Sequence, residues 1–127
     1  ETTHSFMESS VDVNAMLAEH ADIWLKGRNG DDLSEEEMVV MERLVDSLYR
    51  RARYTSQMHR TLGQAGGAQL RDLAIMLYEN PGARRAWDQL TEQEVVYFRQ
   101  MRPSDDFRYN YRQEVLAELA KLDELND

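Results

Sequence analysis

From Ser34 to Leu62 the chain contains neither glycine nor proline, and the next residue is Gly63. This stretch reads as one helix of about 28 residues, roughly 40 Å long at 1.5 Å per residue. Its start carries a capping box. Ser34 is a good N-cap, and Glu37, three residues on, can return a hydrogen bond to the Ser34 N–H. Leu33 and Met38 have the spacing of a hydrophobic staple, and Glu35-Glu36-Glu37 suits the positive end of the helix dipole. Gly63, Gly66 and Gly67 end the helix. Its apolar stripe runs Met41, Leu44/Val45, Leu48, Ala52, Thr55, His59 and Leu62, an i, i+3/i+4 spacing held over the whole length. Met38, Val40, Tyr54 and Met58 widen it. An isolated helix is marginal in water, so a face this long needs several partners folded back onto it.

The flanking segments supply them. Residues 1–10 form a polar tail, frayed at its start, and residues 11–127 a single domain. Val11 to Lys26 is predicted as a helix with Val13, Met16/Leu17, His20, Ile23/Trp24 and Gly27 inward. The short turn after it makes it an antiparallel neighbour of the long helix. In an EF-hand register built on Gly30, the first and third ligand positions fall on Leu25 and Gly27, which cannot ligate through side chains, so the turn is no calcium loop.

Ala68 to Glu79 is the third helix. Its run Leu73-Ala74-Ile75-Met76-Leu77-Tyr78 is apolar on all sides, which predicts the most enclosed element, beneath the long helix. Asn80-Pro81-Gly82 stops it. Residues 82–101 have two readings. One is a continuous helix with Ala83, Trp87, Leu90, Phe98 and Met101 inward. The other breaks at a second capping box, Thr91-Glu92-Gln93-Glu94. Pro103-Ser104 is the next stop. A last helix starts at Asp105-Asp106 or at Asn110 and runs to about Leu125, with Phe107, Tyr111, Val115, Leu119 and Leu122 inward. No segment alternates apolar and polar residues, so no sheet is predicted. The expected fold is an all-α bundle of four to six helices around the long central one.

The net charge is −9, unevenly placed. Residues 1–49 carry 3 basic and 12 acidic side chains, residues 50–112 carry 11 and 7, and residues 113–127 carry 1 and 5. Acidic ends therefore flank a basic middle, and pairing between them is the simplest use of the arginines. Of the 15 basic residues, 13 are Arg, whose planar fork pairs bidentately where Lys cannot. A net charge this negative argues against general nucleic-acid binding, which needs a basic face, and no nucleic-acid partner is expected. It has no cysteine, hence no disulfide framework and no thiolate chemistry.

Candidate chemistry is sparse. His20 and His59 fall on apolar stripes and His4 in the tail. Each stripe histidine is read as a core residue with one bonded nitrogen, or as a pH-responsive, ligand-facing group. Neither has the i+4 partner of a zinc helix, and no Glu-x-x-His pair is present, so neither metal nor cofactor is expected. Arg50, Arg51, Arg53 and Arg60 lie on the second half of the long helix beside Tyr49 and Tyr54, and Arg84-Arg85 opens the helix after Pro81. Paired arginines at a helix start can hold an anion. The plainer alternative is pairing with carboxylates such as Asp72, Glu79 and Asp88. The candidate binding residues are thus His20, His59, Arg50, Arg53, Tyr54, Arg84 and Arg85. Nucleophile elbow, P-loop and dinucleotide fingerprint are all missing.

Two stretches carry a resemblance: His20-Ala21-Asp22-Ile23-Trp24 with Leu33-Ser34-Glu35-Glu36-Glu37, and Leu77-Tyr78-Glu79-Asn80-Pro81-Gly82-Ala83-Arg84-Arg85-Ala86-Trp87. Over about residues 14–100 the chain resembles a loosely defined bacterial family of unknown function, in which a short helical domain follows an N-terminal transmembrane helix. The resemblance implies a membrane anchor ahead of Glu1 and carries over no catalytic residue.

The expected role is a non-catalytic interaction or sensing module acting on a protein partner or a second copy of itself. The alternative is a small hydrolase or ligand-binding protein using His59 with nearby carboxylates. Self-association is expected from Val39, Val40, Tyr54 and Met58 beside the main stripe. At the Asn80-Pro81-Gly82 corner, Gly82 should admit another backbone, Trp87 should bury its ring with its N–H on an acceptor, and Arg84 or Arg85 should reach a carboxylate on the long or third helix.

Overall fold

The computed structural model describes residues 13–63, 67–98 and 107–125, with side chains described for 13–63, 67–94 and 110–125. These residues are helical throughout apart from short turns and contain no strand. The helices are α1 (13–19), α2 (Ala21–Arg28), α3 (Glu35–Thr61), α4 (Gly67–Glu79), α5 (Pro81–Phe98) and α6 (Phe107–Leu125). The tail over 1–10, Val11, Gly66, Met101, Pro103-Ser104 and Asp105-Asp106 lie outside the described residues, as do the side chains of Phe98 and Phe107.

α3 is the axis. Ser34, in an extended conformation, accepts from the Glu37 N–H at 3.1 Å, and Glu37 Oε1 accepts from the Ser34 N–H at 2.9 Å. Lys26 adds a salt bridge to Glu37 at 3.0 Å. The Ser34 N–H first, and Lys26 after it, hold the Glu37 carboxyl below its ordinary pKa. Leu33 and Met38 are both half-buried against the core, as the staple spacing predicts. At the other end Gly63 takes φ 75°, the left-handed conformation that ends helices cheaply only at glycine.

The predicted stripe is buried from Met41 to Leu48 and then departs from expectation. Ala52, Thr55 and His59 are only half-buried, and Leu62 is 69% exposed. The buried line passes instead through Tyr49 and Ser56, because α6 docks there: Ser56 Oγ donates to Tyr111 Oη at 3.1 Å.

α2 packs on α3 and α5, α4 packs on α3, α5 and α6, and α5 returns along α3. The first predicted helix is two: the chain turns at His20 (φ −115°, ψ 31°) and then continues to Arg28, two residues past Lys26. The redirection brings Gly27 of α2 against Gly82 of α5. A Cβ on Gly82 would lie 2.7 Å from the Gly27 Cα, so the two backbones touch as the corner predicts. The same approach lets Asn80 Nδ2 donate to the Trp24 carbonyl at 3.1 Å, while Asn80 Oδ1 caps α5 by accepting from the Ala83 N–H at 2.9 Å.

α4 buries Leu70, Leu73, Ala74 and Leu77, but Ile75, Met76 and Tyr78 remain half-buried, so it is not enclosed on every side. α5 runs unbroken through Leu90-Thr91, and the second capping box does not form. α6 begins at Phe107 and ends at Leu125, with Tyr111, Val115 and Leu119 buried and Leu122 half-buried.

Candidate functional site

Tyr49 of α3, Trp87 of α5 and Tyr111 of α6 meet at the centre of the bundle. The Tyr49 and Trp87 rings pack edge to face at 5.3 Å, and Tyr49 and Tyr111 lie tilted at 5.9 Å. Burial pushes both tyrosine hydroxyls above their usual pKa, so each remains a neutral phenol at physiological pH.

Into this cluster α6 inserts Arg112, only 3% exposed. Its guanidinium carbon lies 4.4 Å from the Tyr49 ring centre and 4.3 Å from that of Trp87. Nη1 donates to Thr91 Oγ1 at 2.9 Å, and the guanidinium is in direct ionic contact with Glu94. A buried cation is tolerated when it is paired and hydrogen-bonded; Thr91 supplies the hydrogen bond and Glu94 the counter-charge, while Nε, buried, has no hydrogen-bond partner among the described residues. Thr91 and Glu94 are the two ends of the capping box that did not form. Their side chains turn to Arg112 instead.

Beside Arg112 a cleft of about 410 Å³ opens between α3 and α5. α3 contributes Asp46, Tyr49, Arg50, Arg53 and Tyr54, α5 contributes Leu90, Gln93 and Glu94, and α6 contributes Arg112. Tyr49 and Arg112, nearly inaccessible, form its floor. Arg50 pairs with Asp46 at 2.9 Å. Arg53 lies over two rings, 5.2 Å from the Tyr49 centre and 5.5 Å from that of Tyr54. Among the described residues no carboxylate pairs with Arg53. Among the described residues the lining holds three guanidinium groups, two carboxylates, two phenols and an amide, and no Ser, Thr, Cys, His or Lys. At neutral pH it offers hydrogen-bond donors and positive charge, the means of holding an anion.

The candidate residues named from sequence thus separate. Arg50, Arg53 and Tyr54 share this cleft. His20 sits half-buried at the turn between α1 and α2, and His59 half-buried near the end of α3; neither lines the clefts described here. Arg84 does not reach α3 or α4: it pairs with Asp123 of α6 at 3.0 Å and with Asp88 of its own helix at 3.7 Å. Arg85 is exposed. Arg60–Glu114, at 3.0 Å, and Arg84–Asp123 join the basic middle to the acidic last segment, as the charge distribution predicts.

Trp87 is fully buried as expected, but its Nε1–H has no acceptor among the described residues, contrary to expectation. Arg112 went unrecognised in the sequence, and Thr91 and Glu94 were read there only as a capping box. The signal for Arg112 is its spacing, three residues before Val115 on the inward face of α6. A second, mostly apolar cleft of about 180 Å³ lies between α3 and α4, lined by Leu48, Ala52, Leu73 and Met76 with Arg51, Thr55, Gln69 and Asp72 around them. Among the described residues no three His, Asp or Glu side chains gather to hold a metal, and no helix is long and apolar enough to cross a membrane.

No family model, curated protein or solved structure matches the chain.

Proposed function

We propose that this chain is a non-catalytic helical interaction and sensing module whose binding face is the cleft between α3 and α5. In this reading the cleft captures a negatively charged group of a partner protein. The observation that carries it is Arg53, held over Tyr49 and Tyr54 at an open cleft with no carboxylate of the described chain upon it. Arg60 and Arg84 end on acids of α6, whereas Arg53 stands at the cleft against two phenol rings. An arginine and a tyrosine side by side at a groove also have the composition of an interface hot spot. The resemblance to membrane-anchored bacterial proteins extends the reading: a segment ahead of Glu1 would tether the module beside a bilayer.

Site-specific photo-crosslinking in cells tests it. A photoreactive phenylalanine replacing Tyr54 should give a discrete adduct, and Arg53→Glu in the same chain should abolish it. The same group at exposed Arg85 should not give that adduct. Equal adducts from positions 54 and 85, or an adduct indifferent to Arg53→Glu, would refute the assignment of this face.

A further inference from the structure

The chemistry of the cleft narrows the anion it takes, an inference that rests on the cleft being the binding face. Of its three guanidinium groups, Arg50 is neutralised by Asp46 at 2.9 Å and Arg112 by Glu94. Among the described residues one positive charge is left, on Arg53, with two standing carboxylates nearby. A single negative charge balances these groups. A phosphate, carrying closer to two, would place surplus charge against Asp46 and Glu94.

The structure also contains its own example of the arrangement. Arg112 lies against the rings of Tyr49 and Trp87 and receives a carboxylate from Glu94. Arg53 lies against Tyr49 and Tyr54 and receives none from the described chain. The Arg53 guanidinium also engages the Tyr49 hydroxyl, and its remaining N–H donors, which lie in its plane, are left at its edge for an acceptor arriving from the cleft. The planar two-oxygen acceptor that fits such an edge is a carboxylate. Leu90 and the Gln93 amide stand on the facing wall, the first able to meet a short aliphatic stem and the second a neighbouring polar group.

We propose that the cleft between α3 and α5 is a carboxylate site, in which Arg53 is the anchor for one monoanionic carboxylate on a short aliphatic stem. Such a group is carried by a partner's acidic side chain and also by a free short-chain acid.

The test is a titration of the isotope-labelled full chain, followed by NMR at constant ionic strength. The probes are propionate, propionamide, inorganic phosphate and the blocked peptide acetyl-Ala-Glu-Ala-amide. Propionate and the peptide should give saturable shifts confined to residues 46–54 and 90–94 and to the Arg53 side-chain N–H. Propionamide should bind at least about tenfold more weakly, the scale of a charge-assisted hydrogen bond, and phosphate more weakly than propionate. Arg53→Gln should lower propionate affinity about tenfold or more while lowering the melting temperature by no more than about 10 °C, the scale of its two lost ring contacts, and Arg53→Lys should fall between. A peptide about tenfold tighter than propionate supports the site with a protein acid as the source; equal affinity supports it with a free acid. Arg53-dependent binding in which phosphate exceeds propionate overturns the carboxylate assignment and leaves the binding face standing. No localised shift with any anion overturns both.

Discussion

Removing the Trp87 ring is the sharpest probe of the bundle's centre. Trp87 is fully buried, packs at 5.3 Å against Tyr49 and lies under Arg112 at 4.3 Å. Truncating a large core aromatic to alanine costs about 3–5 kcal/mol in lost transfer energy and cavity. Losing the aromatic pair and the cation–π contact adds about 1–3 kcal/mol. Against this, the indole N–H is buried without an acceptor among the described residues, and its removal recovers about 1–3 kcal/mol. The last two terms nearly cancel, so Trp87→Ala should cost about 3–5 kcal/mol, or about 10–20 °C in Tm for a domain of this size. Trp87→Phe keeps a ring between Tyr49 and Arg112 and deletes the orphan donor. The methylene-scale loss and the relieved donor offset each other, so its cost should stay within about 1 kcal/mol. Urea unfolding followed by circular dichroism, with equal m-values as the check on comparable unfolded states, measures both. If Trp87→Phe costs as much as Trp87→Ala, the indole N–H is partnered and the reasoning fails. If Trp87→Ala costs less than about 1 kcal/mol, the centre lies elsewhere.

Gly82→Ala places a Cβ 2.7 Å from the Gly27 Cα, a backbone atom that cannot swing aside, and should cost about 1–3 kcal/mol in thermal unfolding. Asn80→Ala removes the α5 cap and the donor to the Trp24 carbonyl together, with an expected loss of about 2 kcal/mol by the same measurement. The Glu37 carboxyl is held below its ordinary pKa, so its contribution is fully present above the unfolded value of about 4.3 and is lost as pH falls through the lowered folded value. Unfolding measured from pH 6 down to about pH 3 should therefore lose stability less steeply in Glu37→Gln than in the parent chain, and identical slopes would refute the assignment. Arg112→Ala should cost about 3–5 kcal/mol, because Glu94 keeps its charge beside an emptied pocket; in the Arg112→Met, Glu94→Gln double variant much of that should return.

The helical elements were legible because their signals are local. Ser34 and Glu37 meet within one turn, and the Gly- and Pro-free stretch that follows admits little but helix. Tertiary contacts decided what was not legible. Thr91 and Glu94 carry the spacing of a helix start, yet both side chains serve an arginine from a later helix, and α5 runs straight through them. His20 looks like the middle of a helix, yet the chain turns there so that Gly27 can meet Gly82. Tyr49 and Ser56 displace Ala52 and Thr55 from the core because α6 approaches α3 off the line of the stripe. Four of the cleft's residues, Tyr49, Arg50, Arg53 and Tyr54, were visible as a basic and aromatic cluster on one helix. Arg112 was not, since it reaches the floor from a different helix and only its spacing to Val115 marks it as inward.

Arg112 has a consequence for the order in which the molecule is made. α3 and α5, the walls of the cleft, leave the ribosome before it, and at about 5–20 residues per second they have seconds in which to begin folding. Until α6 follows, the slot between Tyr49 and Trp87 lacks its cation, and Glu94 lacks its ion-pair partner. The cation that completes the floor of the cleft therefore arrives on the helix that also closes the core, so the cleft takes its final form only when the last helix docks.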